Sequence, residues 1–316
     1  IIGSTRETAM NRISRRNFAK TTLAACGLVA AGGPAALAAP ASIIKRRIPS
    51  SGELIPIMRL GTNRYGVGQS AEARAPLREA LARFHELGGT VVDTAPGYRT
   101  SESVLGDLLS DLGLRDELFM ATKVDRESGR DDSLAQMRDS ADRLQTDIID
   151  LMQVHSLRDW ENNIPLLQEL KQDGQFRYIG VTTSRSSQYA DMEKAMNRHE
   201  LDFIQVDYSL EQREAAERLL PLAADRGMAV MLNRTFGGGR IFEAVGDQPL
   251  PEWAGDLQIE SWAQFLLKYA LSHPAATVAI PGMTKARHID DNFGAAQGPM
   301  PDAGQRRKME EFFDAL

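Results

Sequence analysis

A (β/α)8 barrel, folded as a single domain, is the class this sequence predicts, and three observations carry that expectation. From about residue 58 onward, eight short β-branched runs alternate with helix-length amphipathic segments. That spacing demands crossover connections, and therefore parallel strands. The alternative, an open doubly wound sheet, would want a glycine fingerprint after its first strand. "GTNRYGVG" at positions 61–68 does not fit GxGxxG. Finally, no linker or low-complexity stretch interrupts the chain beyond its first forty residues, and the length left suits one barrel of roughly 250 residues.

The strands are expected at 58–61, 90–94, 118–123, 150–155, 178–181, 203–206, 229–232 and 277–280. Helical patterns fall between them at 74–87, 133–144, 164–172, 212–225 and 260–272. The longest irregular stretch, 235–257, is rich in glycine and proline. Loops of that length inside a compact domain are often functional.

The first forty residues read differently. The whole chain has 316 residues, 42% apolar and 25% charged, which are ordinary globular values. "NRISRRNFAK" places Arg15–Arg16 ahead of Phe18, and a mildly apolar, alanine-rich run follows to Ala39. "ALA" at Ala36–Ala38 offers the small residues a signal peptidase reads. The "SRRNF" core resembles a bacterial twin-arginine export signal. Residues 1–38 are therefore expected to be upstream residues plus a signal peptide, and 39–316 the barrel. The twin-arginine translocase is the implied partner, the periplasm the destination, and no stable membrane anchor should remain after cleavage. The only cysteine, Cys26, falls within this segment; it reads as incidental rather than as a lipid-attachment box. Cleavage would leave neither disulfide nor thiol chemistry. It would also remove five cations against the single acid Glu7, leaving the remainder more acidic than the whole chain's −6. Such a domain has no electrostatic attraction for nucleic acid.

Titratable residues fall at consecutive strand ends. Asp93 ends the second strand, Lys123 the third and His155 the fourth, with Tyr98 on the turn after Asp93. Adjacent strands lie about 4.8 Å apart, so the four side chains converge at the C-terminal mouth, where barrel active sites are built. Lys123 is the expected partner of Asp93. A free phenol, with a pKa near ~10, is a poor acid at neutral pH, and an adjacent ammonium is expected to lower it. His155, read as neutral, would donate a hydrogen bond to a substrate oxygen. No metal ligand set is assigned.

These residues also carry a resemblance. "DTAPGYRTSESVLGDLL", "ATKV", "DLMQVH", "IGVTTS", "IQVDYS" and "IPGMTKARHIDDNFGA" resemble, in order, the signatures of the aldo-keto reductases. The likeness runs from about Arg59 to Ala296. It implies an eight-stranded barrel that binds a nicotinamide dinucleotide without a Rossmann domain. It also implies hydride transfer to the carbonyl carbon of a small aldehyde or ketone, with Tyr98 protonating the oxygen. Asp93, Tyr98, Lys123 and His155 match the family's catalytic tetrad.

The implied cofactor positions are Gly61, Thr62, Thr182, Thr183, Gln205, Arg234, Gly282, Thr284, Arg287 and Asn292. Thr182 and Thr183 stand where the family commonly has Ser-Asn, Arg234 where an aromatic often stacks, and Gly282–Met283 where Lys-Ser is familiar. Gln205 and Asn292 match. Arg287 suits a 2′-phosphate, which predicts NADP, with NAD as the alternative. "GGGR" at Gly237–Arg240 permits close backbone approach to a pyrophosphate. Trp160 and Phe236 are expected to wall the substrate pocket. Two other readings stay open: a cofactor-binding sensor or partner subunit with little turnover, and an enzyme using Lys123 as a Schiff-base nucleophile.

Overall fold

Why do short β-branched runs of this sequence close on themselves? In the computed structural model, which describes residues 43–316, eight runs pair in parallel with their chain neighbours. They are β3 (Leu60–Gly61), β4 (Val91–Asp93), β5 (Phe119–Val124), β6 (Ile149–Val154), β7 (Phe176–Thr182), β8 (Phe203–Asp207), β9 (Ala229–Asn233) and β10 (Ala276–Ala279). The two ends of the sheet meet through bridges Met58–Ala279 and Gly61–Gly282. Arg59 N–H donates to the Ala279 carbonyl at 2.9 Å, and Gly61 N–H to that of Pro281 at 3.0 Å. The fold is a single-domain (β/α)8 barrel. The expected export segment, with Arg15, Arg16 and Cys26, lies outside the described residues.

Helices cross between the strands: α1 (Ala71–Glu86), α2 (Ser101–Leu112), α3 (Arg130–Leu144), α4 (Trp160–Gln172), α5 (Tyr189–Arg198), α6 (Leu219–Asp225), α7 (Arg240–Val245), α8 (Trp262–Leu271) and α9 (Ala286–Gly294), with α10 (Ala303–Asp314) closing the chain. Three expectations need correction. The helix expected at 212–225 begins only at Leu219, which places Pro221 in its first turn, where proline is tolerated. His155 does not end β6; the strand stops at Val154, and His155 opens a short 3-10 turn with Ser156 at φ 53°. The stretch 235–257 is not wholly irregular, since α7 and short turns at Gly237–Gly239 and Glu252–Leu257 occupy much of it.

Period-two alternation sorts the strand residues between lumen and outer layer. Val91, Phe119, Ala121, Leu151, Tyr178, Phe203 and Met231 face inward into one apolar cluster, whereas Val92, Met120, Met152 and Ile179 pack outward under the helices. A hairpin that the strand pattern does not announce pairs β1 (Lys45–Arg47) antiparallel with β2 (Leu54–Pro56). Its Ile48 and Ile55 join the lumen cluster and plug the barrel from below. One glycine is dictated by this filling: a Cβ on Gly180 would lie 2.7 Å from the Phe203 carbonyl and 3.3 Å from Gln153 Cγ.

Ile48 is fully buried, and an isoleucine-to-alanine change at such a site costs about 2–5 kcal/mol. Ile48→Ala should lower stability by that amount in urea unfolding while leaving ligand affinity at the opposite, C-terminal mouth unchanged. A loss of affinity matching the loss of stability would mean the plug also shapes the mouth.

Candidate active site

Continuing the lumen alternation upward replaces the apolar layers with polar ones. Asp93, Lys123, Gln153, Thr182, Gln205 and Asn233 each lie two residues beyond an inward-facing or lumen-lining position, and all but Asn233 are buried. Asp93 Oδ2 accepts from Lys123 Nζ at 2.7 Å, and Nζ also donates to the Thr94 carbonyl at 2.7 Å. Gln153 Nε2 donates to Asp93 Oδ1 at 3.3 Å, and the Arg59 guanidinium lies 3.7 Å from the same oxygen. A buried carboxylate without such partners is strongly disfavoured.

Tyr98 stands over this layer. Its ring centroid is 5.3 Å from Lys123 Nζ and 5.8 Å from the His155 ring, edge to face. The loop bearing it is pinned by close approach of Gly66, where a Cβ would fall 2.8 Å from the Tyr98 carbonyl. The positive charge of Lys123 is the largest single influence on the phenol and lowers its pKa. Burial and the negative charge of Asp93 oppose it and together win, leaving the phenol above its ordinary 10.0. The expected depression is thus reversed, because the site that brings Lys123 close also excludes water. At neutral pH Tyr98 carries its proton.

His155 has a neighbour that sequence reasoning missed. Its Nδ1 lies 3.6 Å from Asp125 Oδ2. Gln136 fixes that carboxylate by donating from Nε2 at 2.7 Å and accepting from Asp125 N–H at 2.9 Å. At that distance the pair is a close polar contact that orients the ring.

A cavity of about 740 Å3 opens over these groups. Asp93, Tyr98, Lys123 and His155 line it, as do Gly61, Thr62, Thr182, Thr183, Gln205, Arg234, Phe236, Gly282, Thr284 and Asn292. Two expected residues do not. Trp160 turns away onto His199, ring centroids 5.9 Å apart, with the Arg198 guanidinium 5.8 Å from its ring. Its place at the start of α4 sends the side chain outward, between helices. Arg287 projects from the exposed side of α9, with Nε 3.4 Å from His288 Nε2, and His288 takes the lining position. Burial, then Arg287 and Lys285, hold the His288 imidazole below its ordinary range, so it faces the cavity as a neutral group.

The cofactor half was tested by its unsatisfied atoms. Gln205 Oε1, Asn233 Oδ1 and Thr235 Oγ1 are buried without a hydrogen-bond partner. Such groups are costly unless a ligand or water pairs with them. A carboxamide supplies both donors and an acceptor, so the residues present fit a nicotinamide. Thr182 Oγ1 accepts from Ser156 N–H at 2.9 Å and keeps its own proton to donate. Thr183 is tied elsewhere, donating to Gln188 Oε1 at 2.7 Å.

Residues 58–307 match the sequence pattern of the Aldo/keto reductase family. The chain belongs to that family. It is an oxidoreductase, and its relatives carry reductase, dehydrogenase or oxidoreductase names. It is 28% identical over 268 residues to "Methylglyoxal reductase YeaE" of Escherichia coli (strain K12), covering 82% of this chain and 92% of that protein. It is 31% identical over 187 residues to "Aldo-keto reductase YhdN" of Bacillus subtilis (strain 168), covering 55% of this chain and only 54% of that one. Among solved structures, an aldo/keto reductase from Klebsiella pneumoniae in complex with NADP and acetate superposes with a TM-score of 0.67. That match is 24% identical and covers 83% of this chain and 93% of the other.

Asp125 gives a pH-resolved test. Its hydrogen bond with His155 is the main cause lowering its pKa from 3.8 to about 2, against the opposing effect of burial. A carboxylate whose folded pKa is depressed adds stability above its unfolded value, and that stability fades as pH falls through the folded value. The stability difference between wild type and Asp125→Asn should therefore be constant near neutrality and shrink between pH 3.8 and about 2. Denaturant titrations across that range that keep a constant difference would detach Asp125 from His155.

Proposed function

We propose that this chain is an NADP-dependent reductase of an aldehyde or ketone, with Tyr98 as the general acid. The observation that carries this reading is the position of Tyr98. Its protonated phenol is held between Lys123 and His155 on the rim of a cavity whose other half presents unsatisfied carboxamide-binding groups. The NADP complex of the Klebsiella pneumoniae relative and the methylglyoxal reductase of Escherichia coli support cofactor and reaction class.

In this reading Thr182, Gln205 and Asn233 hold the nicotinamide carboxamide. Gly282, Thr284 and Asn292 receive the adenosine end. Lys285 and Arg287 supply positive charge there for a 2′-phosphate. When bound, the reduced cofactor supplies a hydride to the carbonyl carbon. Tyr98 O–H and His155 Nε2–H orient the carbonyl oxygen, and Tyr98 transfers its proton to that oxygen as the alkoxide develops. The phenolate left behind is stabilised by Lys123, the strongest influence lowering the phenol's pKa. Asp93 keeps that ammonium in place. An ammonium already committed to Asp93 and Thr94 is a poor candidate for Schiff-base attack, which needs a free amine. Proton transfer of this kind contributes typically 10²–10⁴-fold. Tyr98→Phe should cut kcat for NADPH-dependent carbonyl reduction by at least about 100-fold, with the Kd for NADPH unchanged. Retention of about a tenth of wild-type turnover would remove Tyr98 from the acid role.

The proposal extends to location. The "SRRNF" motif supports passage through the twin-arginine route to the periplasm, which carries folded proteins, so cofactor would be bound before transport. Arg15→Lys together with Arg16→Lys should leave the protein in the cytoplasm on fractionation, and periplasmic wild-type protein should contain dinucleotide. Unchanged distribution of the double variant would sink the export reading.

A further inference from the structure

The cavity is chemically two-sided. Its apolar lining, Phe236, Phe242, Ala263, Ile280 and Pro281, comes from elements that follow β9 and β10. The opposite half, from the segments that follow β3 to β6, presents Asn63, Arg64, Tyr98, His155 and Ser156 above Asp93 and Lys123. Among the described residues, Tyr98 is the only lining side chain there with substantial apolar surface, since Trp160 turns away. Small-molecule sites are mostly apolar with a few placed polar groups. A reacting half walled by polar groups selects a substrate that is itself polar around its carbonyl.

Arg64 gives that polarity a sign. It is exposed on the loop after β3 and lines the cavity. Several arginines of this chain are bound to carboxylates, among them Arg74 to Asp107 at 2.7 Å, Arg83 to Asp290 at 2.6 Å, Arg177 to Asp150 at 2.6 Å and Arg213 to Asp314 at 2.6 Å. Of the cavity-lining arginines, Arg64 lies on the same side as Tyr98 and Arg234 on the opposite side. Among the described residues Arg64 has no such partner within 4.0 Å, and its side chain donates no hydrogen bond inside the protein. Arg99, beside Tyr98 on the neighbouring loop, is exposed and equally unpaired among the described residues. The two loops touch, because Gly66 leaves room for Tyr98 and Arg99, and Thr100 Oγ1 donates to the Val67 carbonyl at 3.2 Å. Arg64 on the cavity lining and Arg99 on the adjoining loop therefore place exposed positive charge beside the Tyr98 loop, in a chain whose net charge is −6.

Resting on the reductase reading above, we infer that the preferred substrate is a short carbonyl compound bearing a carboxylate, and that Arg64 is the side chain that receives it. The planar guanidinium offers paired donors that match a carboxylate. Its place next to the Tyr98 loop keeps the anion within a few bonds of the carbonyl. A long apolar or aryl group would meet Asn63, Arg64 and Ser156 instead of apolar surface.

The test compares two aldehydes of equal length, 4-oxobutanoate and butanal, with saturating NADPH, in wild type, Arg64→Gln and Arg64→Lys. Wild type should favour 4-oxobutanoate by at least about tenfold in kcat/KM, a ratio within reach of one charge-assisted contact. Arg64→Gln should lose about that factor for 4-oxobutanoate, mainly through KM, and change butanal by less than about twofold. Arg64→Lys should recover part of the loss, because charge remains but the paired geometry does not. Equal effects on both aldehydes, a wild-type preference for butanal, or weakened NADPH binding in Arg64→Gln would overturn the inference. The last result would assign Arg64 to a cofactor phosphate. If neither aldehyde nor any other carbonyl is reduced, the reductase reading fails. The anion site then stands or falls on butanoate binding measured calorimetrically, expected to be about tenfold weaker in Arg64→Gln and refuted by equal affinities.

Discussion

The charge on Asp93 is the constraint around which the mouth of this barrel is arranged. The carboxylate is only 2% exposed, and burying a charge costs several kcal/mol unless partners replace the lost water. Three strands contribute to that replacement. Lys123 comes from β5, Gln153 from β6, and Arg59 from just before β3. Because β4 lies between β3 and β5, a slip in either pairing would remove a partner and strand the charge. The site thereby specifies strand register as much as register positions the site.

Two cations face the Asp93 carboxylate, and the protein accommodates them in different ways. Lys123 is satisfied by Asp93 and the Thr94 carbonyl. Arg59 is fully buried, with Nε and one terminal nitrogen unpartnered and its guanidinium 6.0 Å from the centroid of the Phe119 ring. Burial pulls its pKa down to about 10, while Asp93 and Asp150 resist, so it remains charged at neutral pH. The positive charge of Lys123 favours the Tyr98 phenolate, but burial and the negative charge of Asp93 outweigh it, so the phenol keeps its proton.

The barrel was legible in the sequence because it depends on local periodicity, and the strand-end positions of Asp93 and Lys123 follow from the same alternation. Inward positions recur every second residue, so "VVD", "FMATKV" and "DLMQV" show where the strands end in polar groups. What escaped depends on contacts between distant segments. The β1–β2 hairpin is too short to announce itself, and its role appears only when Ile48 meets Phe119 and Tyr178 in the lumen. Asp125 lies two residues past Lys123 in plain view. Its meaning requires the fold to bring β6 and α3 against it, since His155 and Gln136 are its partners. Trp160 failed as a pocket wall for the converse reason. An aromatic near a catalytic loop is ambiguous until the helix it starts fixes its direction, and here that direction is toward His199.

The division of the mouth follows from the same topology. β10 and β3 meet only through isolated bridges, and this seam brings the Gly282–Asn292 segment beside the loop carrying Asn63 and Arg64. On one flank lie groups that lack partners and suit a carboxamide, namely Gln205, Asn233 and Thr235. On the other lies Arg64, with Arg99 on the adjoining loop, both without a carboxylate partner among the described residues. Polar groups left unsatisfied at a buried or cleft position are tolerated when a ligand completes them. The two flanks are incomplete in opposite senses, one short of hydrogen bonds and the other short of negative charge. Tyr98 stands on the boundary between them, on the rim of the cavity.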